Sequence, residues 1–201
     1  MRTATSPRTA TPPRTAAALA VAAATAATLL AAPPAAADSV SIMVRTARFA
    51  PPTAFVPSDA VTYDLDLVPA GAQVAVAEVA TDRKTVVRIG VAGLRPSRAY
   101  GVHVHTAPCG TGPGDSGPHY QNVPDPVQPS VDPAYANARN EVWLDFTTDP
   151  QGRGTAETAH AWRFRAGEAR SIVIHAESTA TEPGHAGTAG DRVACYSVPL
   201  R

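Results

Sequence analysis

The sequence predicts an all-β domain, a Greek-key β-barrel or sandwich of about eight antiparallel strands with two long loops. Three observations carry this expectation. Short β-branched segments alternate apolar and polar residues, turn-forming residues separate them, and no segment after residue 37 keeps a helical period for three turns. Val61 to Leu67 alternates as a half-buried strand should. Gln73 to Ala80 and Thr85 to Leu94 are two β-branched runs joined by Thr81-Asp-Arg-Lys84, which reads as a hairpin. Tyr100 to His105, Glu141 to Thr147, Thr155 to Phe164 and Ser171 to His175 continue the pattern, with turn chemistry at Asp149 to Gly152 and Ala166 to Glu168. Short strands at such spacing imply two packed sheets or a small closed barrel. Residues 106–140 and 176–191 are polar and rich in Gly and Pro. Loops of that length in a compact domain carry function or are disordered.

Residues 1–37 hold three dispersed arginines (Arg2, Arg8, Arg14), an Ala/Leu stretch from Ala16 to Ala32, and Ala35-Ala36-Ala37 ahead of Asp38. This reads as a secretory signal cut after Ala37, leaving one domain over 38–201 and placing the protein outside a bacterial cell. The three arginines are unmatched by any acid in that stretch, so residues 38–201 carry 14 basic against 17 acidic side chains. Nucleic acid or an anionic membrane surface as partner needs a concentrated positive excess, which is not there. No apolar run of about 18 residues follows the signal, so no membrane span is expected. Outside the cytoplasm an even pair of cysteines is expected to bridge, hence Cys109–Cys195.

The six histidines are the chemical signal. In Gly101-Val-His-Val-His105, strand alternation puts His103 and His105 on one face about 7 Å apart, while Val102 and Val104 point into the opposite layer. Two neutral imidazoles so placed can share a metal ion. Gly117-Pro-His119 lies in the first long loop, Ile172-Val-Ile-His175 ends a strand at the mouth of the second, and Gly190-Asp-Arg192-Val-Ala-Cys195 closes it. His160 alternates with Trp162 and Phe164 and reads as a packed or rim residue, His185 as a loop residue, and the indoles of Trp143 and Trp162 as core or interface surface.

With Gly93-Leu94, Gly101 to His105, Cys109, Gly117 to His119, Val173 to His175 and Gly187 to Cys195 in this order, the sequence resembles the copper/zinc superoxide dismutase family over roughly 73–200. The resemblance implies a flattened eight-stranded Greek-key barrel with copper on its outer face. His103, His105, His119 and His175 look like its four copper ligands, Arg192 like the arginine that attracts superoxide, His119 like the imidazole that carries a proton, and Cys109 and Cys195 like the family's bridge. It also implies a reaction, the disproportionation of superoxide to dioxygen and hydrogen peroxide.

One departure is equally informative. Zinc-containing members bridge the equivalent of His119 to a zinc held by two further histidines and an aspartate, and here residues 120–140 contain no histidine. Asp125, Asp132 and Glu141 are the conspicuous carboxylates nearby, a poor set for tetrahedral zinc. The loop 176–191 is also short, so the chain resembles the copper-only branch, with zinc absent. The second ring nitrogen of His119 then needs another partner. Glu141 is the first candidate and Asp145, two residues on along the same face, the second. The rival reading is a non-catalytic copper buffer or carrier with the same four ligands. Arg192 in its expected place favours turnover.

Overall fold

The computed structural model describes residues 39–201, with Met1 and Thr3 alone ahead of them, so the signal read over 1–37 lies outside the described residues. In chain order the strands are β1 (Ser41–Arg48), β2 (Ala60–Thr62), β3 (Gln73–Ala80), β4 (Thr85–Ala92), β5 (Ala99–Tyr100), β6 (Val102–His105), β7 (Phe146–Thr147), β8 (Gly154–His160), β9 (Ser171–His175) and β10 (Arg192–Ser197). A 3-10 turn, Pro113–Ser116, interrupts the first long loop. None of the described helical segments is long and apolar enough to cross a membrane.

Two four-stranded sheets form the domain, ordered β1-β3-β4-β8 and β2-β10-β9-β6, with β5 and β7 as a short pair. All these strand pairs are antiparallel. The core is made by alternation. Val74 and Val76 of β3 and Val87, Ile89 and Val91 of β4 point inward from one sheet. Val102 and Val104 of β6, Ile172 and Ile174 of β9, and Ala194 and Tyr196 of β10 meet them from the other. Each such Val or Ile side chain taken out of water contributes about 1.5–3 kcal/mol, which fixes the face every strand buries. On β6 and β9 the opposite face is buried too, by the long loops; His103 and His105 are wholly covered.

The β3–β4 hairpin forms with the expected register, Ala80 opposite Thr85, closed by the Thr81 amide donating to the Lys84 carbonyl at 2.8 Å. Other boundaries differ from expectation. The strand expected over Val61–Leu67 stops at Thr62. Asp64 Oδ1 accepts from the amides of Asp66 and Leu67, both at 2.9 Å, so an Asx-type turn outcompetes strand pairing. Glu141 and Trp143 make only isolated bridges before β7, and β8 ends at His160, ahead of Trp162 and Phe164. β1 and β10 form where no strand was expected. β1 is an edge strand lying along the whole of β3, and β10 sits between β2 and β9.

Candidate metal centre

β6 lies between β9 on one side and the 118–120 segment on the other. Val102 pairs with Ile174 and His103 with Val173, while His105 bridges to His119 across the other edge. The amide of Tyr120 donates to the Val104 carbonyl at 2.8 Å and that of Thr106 to Pro118 at 3.1 Å, laying His119 against the strand. Three adjacent antiparallel segments thus deliver four imidazoles to one face. One ring nitrogen from each of His103, His105, His119 and His175 lies within 4.8 Å of all the others.

The hydrogen bonds select which nitrogens face inward. His105 donates from Nδ1 to the Gly117 carbonyl at 2.9 Å. Gly117 has a φ of +72°, and a Cβ there would meet Thr106 Oγ1 at 2.8 Å, so glycine alone suits the turn that presents this carbonyl. His175 donates from Nδ1 to the Gly190 carbonyl at 3.3 Å, and His119 from Nδ1 to Glu141 Oε2 at 2.9 Å. In each of these three Nδ1 is committed outward, and Nε2 is the ring nitrogen left for the interior of the quartet. For His103 the roles reverse: Nε2 lies 2.7 Å from Thr179 Oγ1, and the buried Nδ1 has no hydrogen-bond partner.

These observations make a direct test of whether the residues fit a metal ion. An orphaned buried ring nitrogen is costly unless something pairs with it. The Nε2 atoms of His105 and His175 oppose their lone pairs at 3.4 Å, a repulsion a cation between them relieves. Burial first, and then the neighbouring charge of His119, holds His103 and His105 well below the usual imidazole pKa and brings His175 down to about 3. All three are therefore neutral donors at any pH the protein meets. Four imidazoles and no carboxylate suit copper in both its oxidation states. The residues fit.

Glu141 is buried and accepts three bonds. His119 Nδ1 and Trp143 Nε1 donate to Oε2 at 2.9 and 2.8 Å, and Gln121 Nε2 donates to Oε1 at 2.8 Å. Asp145, the second candidate partner of His119, makes its bonds elsewhere. Its Oδ1 accepts from the Val102 amide at 3.1 Å and from Thr179 Oγ1 at 2.8 Å, and its Oδ2 from the Thr179 amide at 2.8 Å.

Arg192 reaches the same face through a β-bulge. Ala194 pairs with Ile174, yet Arg192 pairs with His175, so Val193 is the extra residue and Arg192 is turned from the core side to the histidine side. Its Nη1 donates to Ser116 Oγ at 3.0 Å and to the Pro113 carbonyl at 3.2 Å. Among the described residues it makes no ion pair with Asp191 or any other acid. Arg192, His119, His175 and Glu141 line a cavity of about 240 Å³ roofed by both long loops. Cys109 and Cys195 are bonded, tying the first long loop to β10 three residues from Arg192.

His160 packs against Trp162 with ring centroids 4.3 Å apart and is not among the four clustered histidines. Trp143, expected in the core or at an interface surface, lies 6.0 Å from the His103 ring and donates to Glu141, so it belongs to the surroundings of the centre. Nothing in the sequence marks Gln121 or Thr179; polar residues in long loops carry no local pattern that points at a partner on another strand.

Residues 71–198 match the family model described as copper/zinc superoxide dismutase. No curated protein matches the chain by sequence. In structure the chain is similar to the Cu/Zn superoxide dismutase from Brucella abortus, with 18% identity, 80% of this chain and 99% of that chain covered, and a TM-score of 0.50. It is also similar to the clock protein EA4, with 20% identity, 65% and 88% covered, and a TM-score of 0.49.

Proposed function

The chain belongs to the copper/zinc superoxide dismutase family, and on that premise we propose that it is an exported, copper-only superoxide dismutase. The observation that carries this reading is the convergence of four imidazole nitrogens within 4.8 Å of one another beside Arg192. Bound copper would be held by His103 Nδ1 and by Nε2 of His105, His119 and His175, and would supply one-electron exchange with two successive superoxide ions.

The chain's own residues do the rest. Arg192 draws the anion into the cavity. Burial lowers its pKa, but a guanidinium stays charged at every relevant pH, and its planar fork suits a small anion. His119 is the least buried of the four, with 19% of its side chain exposed, and its Nδ1 proton is fixed on Glu141. With Nδ1 so committed, Nε2 is the atom of this ring that would hold and pass on one of the two protons of hydrogen peroxide whenever it is not engaged by copper. The first superoxide leaves as dioxygen; the second leaves as hydrogen peroxide after taking up the electron and two protons.

Zinc-free operation is supported by the engagement of His119 Nδ1, the nitrogen a bridging zinc would need, with Glu141, and by the lack of histidine over 120–140. Export is supported by the signal-like residues 1–37 and by the Cys109–Cys195 bond.

Copper-loaded protein is expected to suppress superoxide-driven cytochrome reduction and His119→Ala to lose that suppression. Equal suppression by the two, or none by the wild type with copper bound, would leave a copper carrier. Arg192→Ile is expected to lower the second-order rate by about tenfold or more and to flatten its dependence on ionic strength. An unaltered rate and salt slope would remove the steering role.

A further inference from the structure

We infer that Thr179 and Asp145 are positioning residues which fix the ring of His103 so that its Nδ1, rather than its Nε2, presents a lone pair to the other three histidines. This rests on the reading of the quartet as a copper site, but the geometry behind it belongs to the chain alone. His103 differs from its three companions in having no backbone carbonyl or carboxylate on its outer nitrogen. Its partner there is the hydroxyl Thr179 Oγ1 at 2.7 Å.

A hydroxyl can donate or accept, so by itself it does not choose a tautomer. Asp145 makes the choice. Oδ1 of the carboxylate is 2.8 Å from Thr179 Oγ1, and an ionised carboxylate only accepts, so the hydroxyl proton is committed to Asp145. Thr179 Oγ1 is left to accept from His103, whose proton must then sit on Nε2. Nδ1 is bare, in agreement with its having no hydrogen-bond partner although buried. Without the acceptor at the end of the chain, the hydroxyl is free to turn and donate to Nε2. The proton then moves to Nδ1, where a metal bond would form.

The same carboxylate also fixes distances. It accepts from the Thr179 amide at 2.8 Å and from the Val102 amide at 3.1 Å, so the loop 176–191 is pinned to the residue preceding His103. The approach is close because residue 101 is glycine: a Cβ there would meet Ala189 Cβ at 2.6 Å and the Glu177 carbonyl at 2.7 Å. Arg98 adds a further tie, donating from Nη2 to the Ala176 carbonyl at 2.8 Å. The second long loop is thereby both a wall of the cavity and the carrier of the hydroxyl that orients a ligand on β6.

The test has a metal-free and a metal-bound arm. In the metal-free wild type, nitrogen-15 NMR of the histidine rings should give His103 as the Nε2–H tautomer. Thr179→Val should abolish that preference and Thr179→Ser should restore it. Asp145→Asn, which leaves one acceptor oxygen for three donors, should weaken it. On copper loading, Thr179→Val should lower copper affinity by about 10- to 100-fold against a competing chelator and shift the copper(II) electron paramagnetic resonance spectrum, with the serine variant near wild type. An Nδ1–H tautomer in the wild type, or a Thr179→Val protein with wild-type tautomer, affinity and spectrum, overturns the assignment. Failure of the wild type to bind copper at the quartet overturns the copper reading alone, because the tautomer is read without metal.

Discussion

Loss of the Cys109–Cys195 bond is expected to lower the stability of the domain by about 4–5 kcal/mol, the chain-entropy value for cysteines 86 positions apart. For a domain of this length that is a fall in melting temperature on the order of 10–15 °C. The effect should not stop at stability. The bridge tethers the first long loop to β10, and that loop carries the Pro113 carbonyl and Ser116 hydroxyl that receive Arg192, the Gly117 carbonyl that orients His105, and His119 itself. Cys109→Ser with Cys195→Ser should therefore weaken copper retention as well as shift the midpoint of denaturant unfolding. Loss of copper without loss of fold would be seen as a two-step transition. A midpoint unchanged by the double substitution would show that folded contacts alone hold the loop.

How much of this was legible in the sequence depends on range. The β3–β4 hairpin was, because the Val74/Val76 and Val87/Ile89/Val91 alternation and the Thr81–Lys84 turn are local. The Val61–Leu67 segment misled for a local reason as well. Its alternating Asp and Leu satisfy a period of two, but Asp64 offers the backbone a closer partner than a neighbouring strand. β1 left no mark because an edge strand with both faces largely exposed has no need of a clean apolar alternation; Ile42 and Val44 are among its exposed residues. β10 was obscured by its bulge. Arg192 and Ala194 are two apart and should share a face, yet the extra residue Val193 puts them on different ones.

The candidate site follows the same division. A His-x-His on a strand places two rings together by period alone, so His103 and His105 needed nothing beyond the alternation. That His119 and His175 lie on either side of them is a matter of strand order, which no local pattern encodes; there the resemblance to a known family supplied what periodicity could not. The supports of the rings were the least legible part. Gly117 and Gly190 act through carbonyls, which every residue has, and Thr179 acts only because Gly101 lets its loop come near. Glu141 could be singled out because an imidazole that binds a metal needs a partner on its second nitrogen. Asp145 could be named by the same reasoning but not joined to the right histidine, since Thr179 stands between.

Replacing Glu141 is expected to lower both the stability of the domain and the affinity of the quartet for copper. Its two oxygens serve only donors: His119 Nδ1 and Trp143 Nε1 on one, Gln121 Nε2 on the other. Glutamine is nearly the same shape, but one of its ends donates. Turned toward His119 and Trp143, that end faces two donors. Turned toward Gln121, it faces one, and the Gln121 amide cannot flip to receive it without losing the bond its Oε1 accepts from the Asp125 amide at 2.8 Å. Either arrangement strands a buried donor at a cost of about 1–3 kcal/mol, and alanine, which strands all three, should cost several times more. Glu141→Gln should also lower copper affinity by about 10- to 100-fold, because the ring of His119 loses the acceptor that fixes its tautomer and its tilt toward the quartet. Chelator competition reads the affinity, and denaturant unfolding of the metal-free protein reads the stability. If only stability falls, Glu141 is a packing residue for Trp143 and Gln121. Should copper affinity and turnover fall while the metal-free protein keeps most of its stability, the carboxylate acts on the centre through His119.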